Sequence, residues 1–279
     1  RNLAQDDFRC RQNPMNLLQV FLLAWPAGAI RHEIPNLKVA CVGDSITEGF
    51  PFDSVRGSSP SLSGYPYHLR QLLDGGSYDV RNFGVSGTTV IDSSQSYLKH
   101  DYFQEALSFK PDIVLLMFGA NDVKERRLSK FNTDFLANYS QLIASFRDVA
   151  PHCKVYLLIP PPMYDNDIYA GGAGGMQQEI YNVQLPKKIR GLAGDMSTAD
   201  HNITVIDIHG CFLRHPTCDK VNVNCCDWET RNPKSDRPTE QESTTCLEHD
   251  DAIHPNDEGY RNMALMVQKV IIYDKEPCD

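Results

Sequence analysis

The sequence predicts a doubly wound α/β fold, a parallel sheet between two layers of helices, and three observations point to it. Short apolar runs without alternation recur along the chain, as expected of strands covered on both faces. Segments of helical spacing separate them. Two of the runs, Leu37 to Gly43 and Ile113 to Phe118, pass straight into polar turns, Gly43-Asp44-Ser45 and Gly119-Ala120-Asn121-Asp122. In open α/β sheets, ligands bind outside the carboxyl ends of the strands, so these turns are the first places to look for chemistry.

Taken in order, the first strand is followed by a Gly/Ser/Pro-rich loop and then by Tyr65 to Leu73, where Leu69, Leu72 and Leu73 share one side of a helix that Gly75-Gly76 ends. A second strand runs from Tyr78 to Phe83 and turns sharply through Gly84-Val85-Ser86-Gly87. Tyr97 to Phe109 reads as helix up to Lys110-Pro111. Phe135 to Phe146 is an amphipathic helix, Lys154 to Ile159 a fourth strand stopped by three prolines, Gln177 to Leu192 a helix, and Ile203 to Ile208 a fifth strand. The last element, Glu258 to Ile272, carries Tyr260, Met263, Met266 and Val270 at core spacing. Five strands joined by helical crossovers give a single domain over 31–279, interrupted by a cysteine-rich insert at 211–250.

Bulk properties narrow the function. The chain has 279 residues, 36 acidic against 27 basic, for a net charge of -9 and no sustained Lys/Arg run. That balance argues against a nucleic-acid groove or a polybasic membrane patch. Nine cysteines, five of them (Cys211, Cys218, Cys225, Cys226, Cys246) within one polar segment, read as a disulfide-held loop, which Cys10, Cys153 and Cys278 could join. Six residues separate Cys211, Cys218 and Cys225, unlike the short paired spacing of a zinc site. Two sequons, at Asn138 and Asn202, add modest weight to a secreted or secretory-lumen location over a cytoplasmic one.

Residues 1–30 read as an N-terminal extension. The apolar run from Leu17 to Ile30 is too short and broken for a stable membrane span. Either it is a signal segment, with Ala27-Gly28-Ala29 as a small-residue cleavage site, or it is an N-terminal helix packed on the core.

Ser45 is read as a nucleophile. A serine hydroxyl needs a base, most often a histidine steadied by a carboxylate. His254 has that company: Asp251 stands three residues before it, Asp250 competes for the same role, and Pro255 stiffens the backbone after it. A tetrahedral intermediate also needs fixed donors, and the candidates are the backbone N–H groups of Ser45 and Gly84 and the side-chain amide of Asn121. Asp44 and Asp122 are read as supports for the loops that carry Ser45 and Asn121. The turn Gly84 to Gly87 lacks the Lys-Ser/Thr of a phosphate-binding loop. The Gly-x-Ser-x-Gly elbow of ordinary α/β-hydrolases is also absent.

These four ordered blocks, Gly43-Asp44-Ser45, Gly84 in an Asn-Phe-Gly turn, Gly119-Ala120-Asn121-Asp122 and Asp251-Ala252-Ile253-His254, resemble those of the SGNH hydrolases, also called the GDSL esterase and lipase family. The resemblance covers Leu37 to Ile272 apart from the insert. It implies a flavodoxin-like α/β/α sandwich with Ser45 as nucleophile, His254 as base and then acid, Asp251 behind it, and Ser45, Gly84 and Asn121 as the oxyanion hole. It implies a serine esterase that needs no metal or organic cofactor and has a small-molecule or glycan ester as its partner. Isoleucine after Ser45 departs from the usual leucine and leans the expectation toward acetyl esters, such as O-acetylated carbohydrates. Lysophospholipase, lipase or thioesterase activity on longer chains is the alternative, and a noncatalytic glycan-binding module a third. The loops at 50–64, 161–176 and 211–250 are expected to line the site and set its substrate.

Overall fold

The computed structural model describes residues 36–50, 64–73, 77–163, 175–198, 202–214 and 253–277. The N-terminal extension, nearly all of the cysteine-rich insert, most of the substrate loops, and Asp250 and Asp251 lie outside the described residues. Among the described residues no helix is long and apolar enough to cross a membrane.

Five strands form one parallel sheet: β1 (Leu37–Gly43), β2 (Tyr78–Gly84), β3 (Ile113–Met117), β4 (Lys154–Ile159) and β5 (Ile203–Asp207), in the order β2-β1-β3-β4-β5. This is the flavodoxin-like order. Burial follows position. Val39 to Val42 and every residue of β3 are buried, and β4 is buried after its first residue, whereas the edge strands β2 and β5 leave several residues partly exposed. A central strand has helices over both faces, so its covered stretch is apolar: β3 is apolar throughout, and the lysines of β1 and β4, Lys38 and Lys154, sit at the exposed starts of their strands.

The helices are α1 (Ser45–Glu48), α2 (Gly64–Leu72), α3 (Asp101–Phe109), α4 (Leu128–Thr133), α5 (Phe135–Val149), α6 (Leu185–Met196), α7 (Ile208–Arg214) and α8 (Asp257–Tyr273). The chain leaves β1 toward β2 on one side and returns across β1 to β3, after which each step moves the other way. With right-handed crossovers, α2 falls on one face and α3, α5 and α6 on the other. The contacts agree, since α2 packs against α8, α3 against α5, and α5 against α6. Direction reverses between β1 and β3, so the crevice of the fold opens where those two strands end, at Ser45 and Asn121.

Three boundaries differ from the sequence reading, each for a local reason. The helix expected from Tyr97 is a short 3-10 turn, Tyr97–Lys99, followed by α3, because His100 is extended and its Nδ1 accepts the Tyr102 N–H at 3.2 Å as an N-cap. Strand five stops at Asp207, whose Oδ1 accepts the Gly210 N–H at 2.8 Å and starts α7. The helix expected from Gln177 begins with a π turn over Ile180–Gln184 before α6. Among the described residues Cys41 and Cys153 are free thiols buried in the core, so Cys153 stands apart from the cross-linking expected of the insert.

The ends of β1 and β2 are built for close approach. A Cβ on Gly43 would lie 2.1 Å from Thr47 Oγ1 and 2.5 Å from the Met117 carbonyl, and one on Gly84 would lie 2.2 Å from the Glu48 amide nitrogen. Both residues must therefore be glycine for α1 to rest on the sheet edge. That contact fixes where α1, and Ser45 at its start, can sit.

Candidate active site

Ser45 is the first residue of α1, so its own N–H has no acceptor within the helix. Asp44 caps the turn, its Oδ1 accepting the Ile46 N–H at 3.1 Å. The other end of α1 is held by Asn82, whose Nδ2 donates to the carbonyls of Thr47 and Glu48 at 3.0 and 3.1 Å. A four-residue helix is too short to persist by itself. Capped at both ends and pressed on two glycines, it becomes a fixed support for a side chain that stays partly open to solvent.

His254 arrives from the far end of the sequence, two residues before the N-cap of α8. There Asn256 Oδ1 accepts the Gly259 N–H at 2.9 Å. Its Nε2 lies 2.7 Å from Ser45 Oγ, within reach of a strong hydrogen bond. For the hydroxyl to donate to Nε2, the imidazole proton must sit on Nδ1. The approach is braced from α8 as well: Tyr260 Oη donates to the Phe50 carbonyl at 2.6 Å, and the Phe50 N–H donates to the Ser45 carbonyl at 3.1 Å. The elements bearing Ser45 and His254 are thus tied together by a second route, independent of the contact between those two side chains.

Asn121 lies in the turn after β3 and is buried. Its side-chain amide has no hydrogen-bond partner among the described residues, whereas its backbone is tightly held. Arg127, itself buried, donates from Nη1 to the Asn121 carbonyl at 2.6 Å and from Nη2 to Gln95 Oε1. Asp122 holds the same turn from the other side, its Oδ1 accepting the N–H groups of Val90 and Ile91 at 3.0 and 2.9 Å. The amide of Asn121 is left as a neutral donor on a clamped backbone.

Gly84 is placed differently from the sequence expectation. Its N–H already donates to Asn82 Oδ1 at 2.9 Å, the Asx-turn pattern in which a side chain bonds the backbone two residues on. The N–H of Gly87, three residues later, has no hydrogen-bond partner among the described residues. Gly87 has φ 79°, which favours glycine, and its turn is pinned where Ser86 N–H donates to Glu48 Oε2 at 2.7 Å. The sequence offered a clue, since an Asn two residues before a glycine engages that glycine's N–H.

Electrostatics of the site centre on two buried carboxyls. Burial pushes Asp44 up to about 6, with the Ile46 N–H and the neighbouring His254 and Lys124 pulling back. Burial pushes Asp122 up to about 7, against the pull of the Ile91 and Val90 N–H groups, with the charge of Asp44 adding to the rise. Lys124 is held below its ordinary range, first by its own burial and then by Arg127 and Arg126. No cluster of metal-binding residues occurs among the described residues.

A model of the GDSL-like lipase/acylhydrolase family matches residues 41–261. The chain belongs to the GDSL-like lipase/acylhydrolase family. This GDSL-like chain is also similar to an acetylxylan esterase of Xylanibacter ruminicola, at 26% identity over 259 residues. The match covers 84% of this chain and 43% of that protein, so the chain spans less than half the length of its curated relative. Two crystal structures share the GDSL-like fold. One, of an acetyl xylan esterase, superposes with a TM-score of 0.57 at 24% identity, covering 85% of this chain and 100% of the other. The second, of a carbohydrate acetylesterase from Sinorhizobium meliloti, gives 0.58 at 20% identity, covering 86% and 100%.

The buried carboxyls have a consequence for stability. Asp122 is raised in the folded state from an ordinary 3.8 to about 7. Between those values the unfolded chain releases its proton and the folded chain keeps it, so this group's contribution is full below pH about 4 and is lost as pH rises through about 7. Asp122→Asn keeps an Oδ1 acceptor for Val90 and Ile91 and removes the titration. In urea melts across pH 4 to 7, the variant is expected to lose less stability with rising pH than the wild type; an equal slope would show that Asp122 is not raised.

Proposed function

We propose that this protein is a serine esterase that cleaves carboxylic esters through an acyl-enzyme, acting on acetyl groups carried by carbohydrates. The observation that carries the reading is the 2.7 Å contact between Ser45 Oγ and His254 Nε2 at the carboxyl edge of the sheet, with a buried, uncommitted Asn121 amide in the turn after the neighbouring strand β3. Similarity to an acetylxylan esterase over 84% of the chain supports the acyl and alcohol classes. The structures of an acetyl xylan esterase and a carbohydrate acetylesterase lend support through their fold.

In the proposed cycle, Ser45 Oγ attacks the ester carbonyl while His254 Nε2 takes its proton. The carbonyl oxygen becomes an oxyanion, met by the Ser45 N–H, the Asn121 Nδ2–H and the Gly87 N–H, the last in place of Gly84. His254 then passes the proton to the departing alcohol oxygen. Water, giving a proton to His254, attacks the acyl-serine, and His254 returns that proton to Ser45 Oγ as the acetic acid is released. Asp251 is the group we assign to hold Nδ1–H of His254; Asp44 and Asp122 support the turns and take no part in proton transfer.

We assign the chain to an oxidising, secretory compartment, with the insert cross-linked by disulfides. Support comes from Cys211, which is disulfide-bonded at the start of the insert, while the free thiols among the described residues, Cys41 and Cys153, are core residues. If Cys10 leaves with a leader, Cys218, Cys225, Cys226, Cys246 and Cys278 join Cys211 as an even set. Alkylation of the denatured, unreduced protein is expected to modify Cys41 and Cys153 and spare these six. Modification of the insert cysteines would contradict the assignment.

A hydrolysis panel tests the function. Acetylated xylo-oligosaccharides and p-nitrophenyl acetate are expected to be cleaved with higher kcat/KM than p-nitrophenyl esters of eight or more carbons, counted roughly as the point where a small acyl pocket fails. Asn121→Ala is expected to lower kcat by roughly 10² to 10³, and His254→Ala by roughly 10² to 10⁴. A preference for long acyl chains would favour a lipase or lysophospholipase, and activity unchanged in His254→Ala would remove that residue from its role.

A further inference from the structure

Phe50 is an apolar side chain where solvent exposure is costly, and the catalytic scheme does not use it. It is 39% exposed, one of the few large hydrophobic side chains among the described residues that are so open. Its ring centroid lies 4.6 Å from that of His254, with the planes tilted by 57°. Its backbone is fixed at both polar groups, the N–H to the Ser45 carbonyl and the carbonyl to Tyr260 Oη. The ring is therefore a rigid aromatic surface beside the base, with part of it left open.

The chemistry of the proposed cycle says which half of the substrate meets that surface. His254 hands its proton to the departing alcohol oxygen, so that oxygen must come within hydrogen-bond distance of Nε2. A group packed on the imidazole flanks the alcohol rather than the acyl chain, whose carbonyl oxygen is turned toward the oxyanion donors. We propose that Phe50 forms the wall of the alcohol subsite and selects esters whose alcohol presents a flat or apolar face, such as the carbon-hydrogen face of a sugar ring or an aryl ring. The proposal rests on the esterase reading above and adds the residue that sets its leaving-group preference. Once the acyl-serine has formed the alcohol is gone, so Phe50 acts on acylation alone.

The test compares Phe50→Ala and Phe50→Leu with wild type on esters that separate the two halves. Methyl acetate and p-nitrophenyl acetate share an acyl group and differ in alcohol; p-nitrophenyl acetate and butyrate share an alcohol and differ in acyl group. The ratio of kcat/KM for p-nitrophenyl acetate over methyl acetate is expected to fall by about tenfold in Phe50→Ala, the scale of one lost aromatic contact, and by less in Phe50→Leu. An acetylated xylo-oligosaccharide should follow p-nitrophenyl acetate. The acetate-to-butyrate ratio should move by less than about twofold, and the losses should lie in KM more than in kcat. Equal losses on both acetates would make Phe50 a prop for His254 only, and a shifted acetate-to-butyrate ratio would place it on the acyl side; either overturns the proposal while leaving the esterase standing. A wild-type protein that cleaves none of these esters would overturn the esterase reading and this inference with it.

Discussion

The hydrogen bond between Ser45 Oγ and His254 Nε2 joins residues 209 positions apart, and most of the structure around it serves to bring its two ends to 2.7 Å. The serine end depends on α1, a helix too short to be stable alone, which is capped by Asp44 and Asn82 and seated on Gly43 and Gly84. The histidine end depends on α8, whose buried Tyr260, Met263 and Val267 fix the helix on the core and whose Gln268 donates to the Leu72 carbonyl of α2 at 3.1 Å. A shift of about an ångström at either end would remove the contact, since hydrogen bonds weaken steeply outside a narrow range of distance and angle.

Rigidity around the turns that carry Asn121 and Gly87 comes from polar groups as well as apolar packing. Asp122 gathers the Val90 and Ile91 amides, Arg127 holds the Asn121 carbonyl, and Glu48 pins the Ser86 amide. Asp122 and Arg127 are costly to bury and are kept only because their partners are in place. The cost is visible in Asp44 and Asp122, both pushed well above the ordinary carboxylate range by burial. What the fold gains is a set of turns that need not reorganise as charge develops on a substrate oxygen.

Much of this was legible in the sequence because parallel strands and their carboxyl-end turns leave strong traces. β3 and β1 beyond Lys38 are unbroken apolar runs, and Ser45 and Asn121 follow them within a few residues; His254 stands out by its place before the last amphipathic helix. The short elements were not legible. α1, α4 and α7 have four, six and seven residues, too few for a helical period to show against the background. Gly84 and Gly87 could not be told apart by residue type, since both could offer a close backbone N–H; the Asn82 side chain distinguishes them by occupying one. Arg127 left no trace, because an arginine among Lys124, Glu125 and Arg126 reads as a solvated charge run, and only the fold turns it inward.

The central claim is that Ser45 is a nucleophile activated by His254, and covalent trapping followed by peptide mapping tests it most directly. A fluorophosphonate probe adds to a serine only where a base and an oxyanion site have raised its reactivity. One adduct is expected, on the peptide bearing Ser45, absent from Ser45→Ala and formed far more slowly in His254→Ala. An adduct on another residue, or labelling at the same rate without His254, would contradict it.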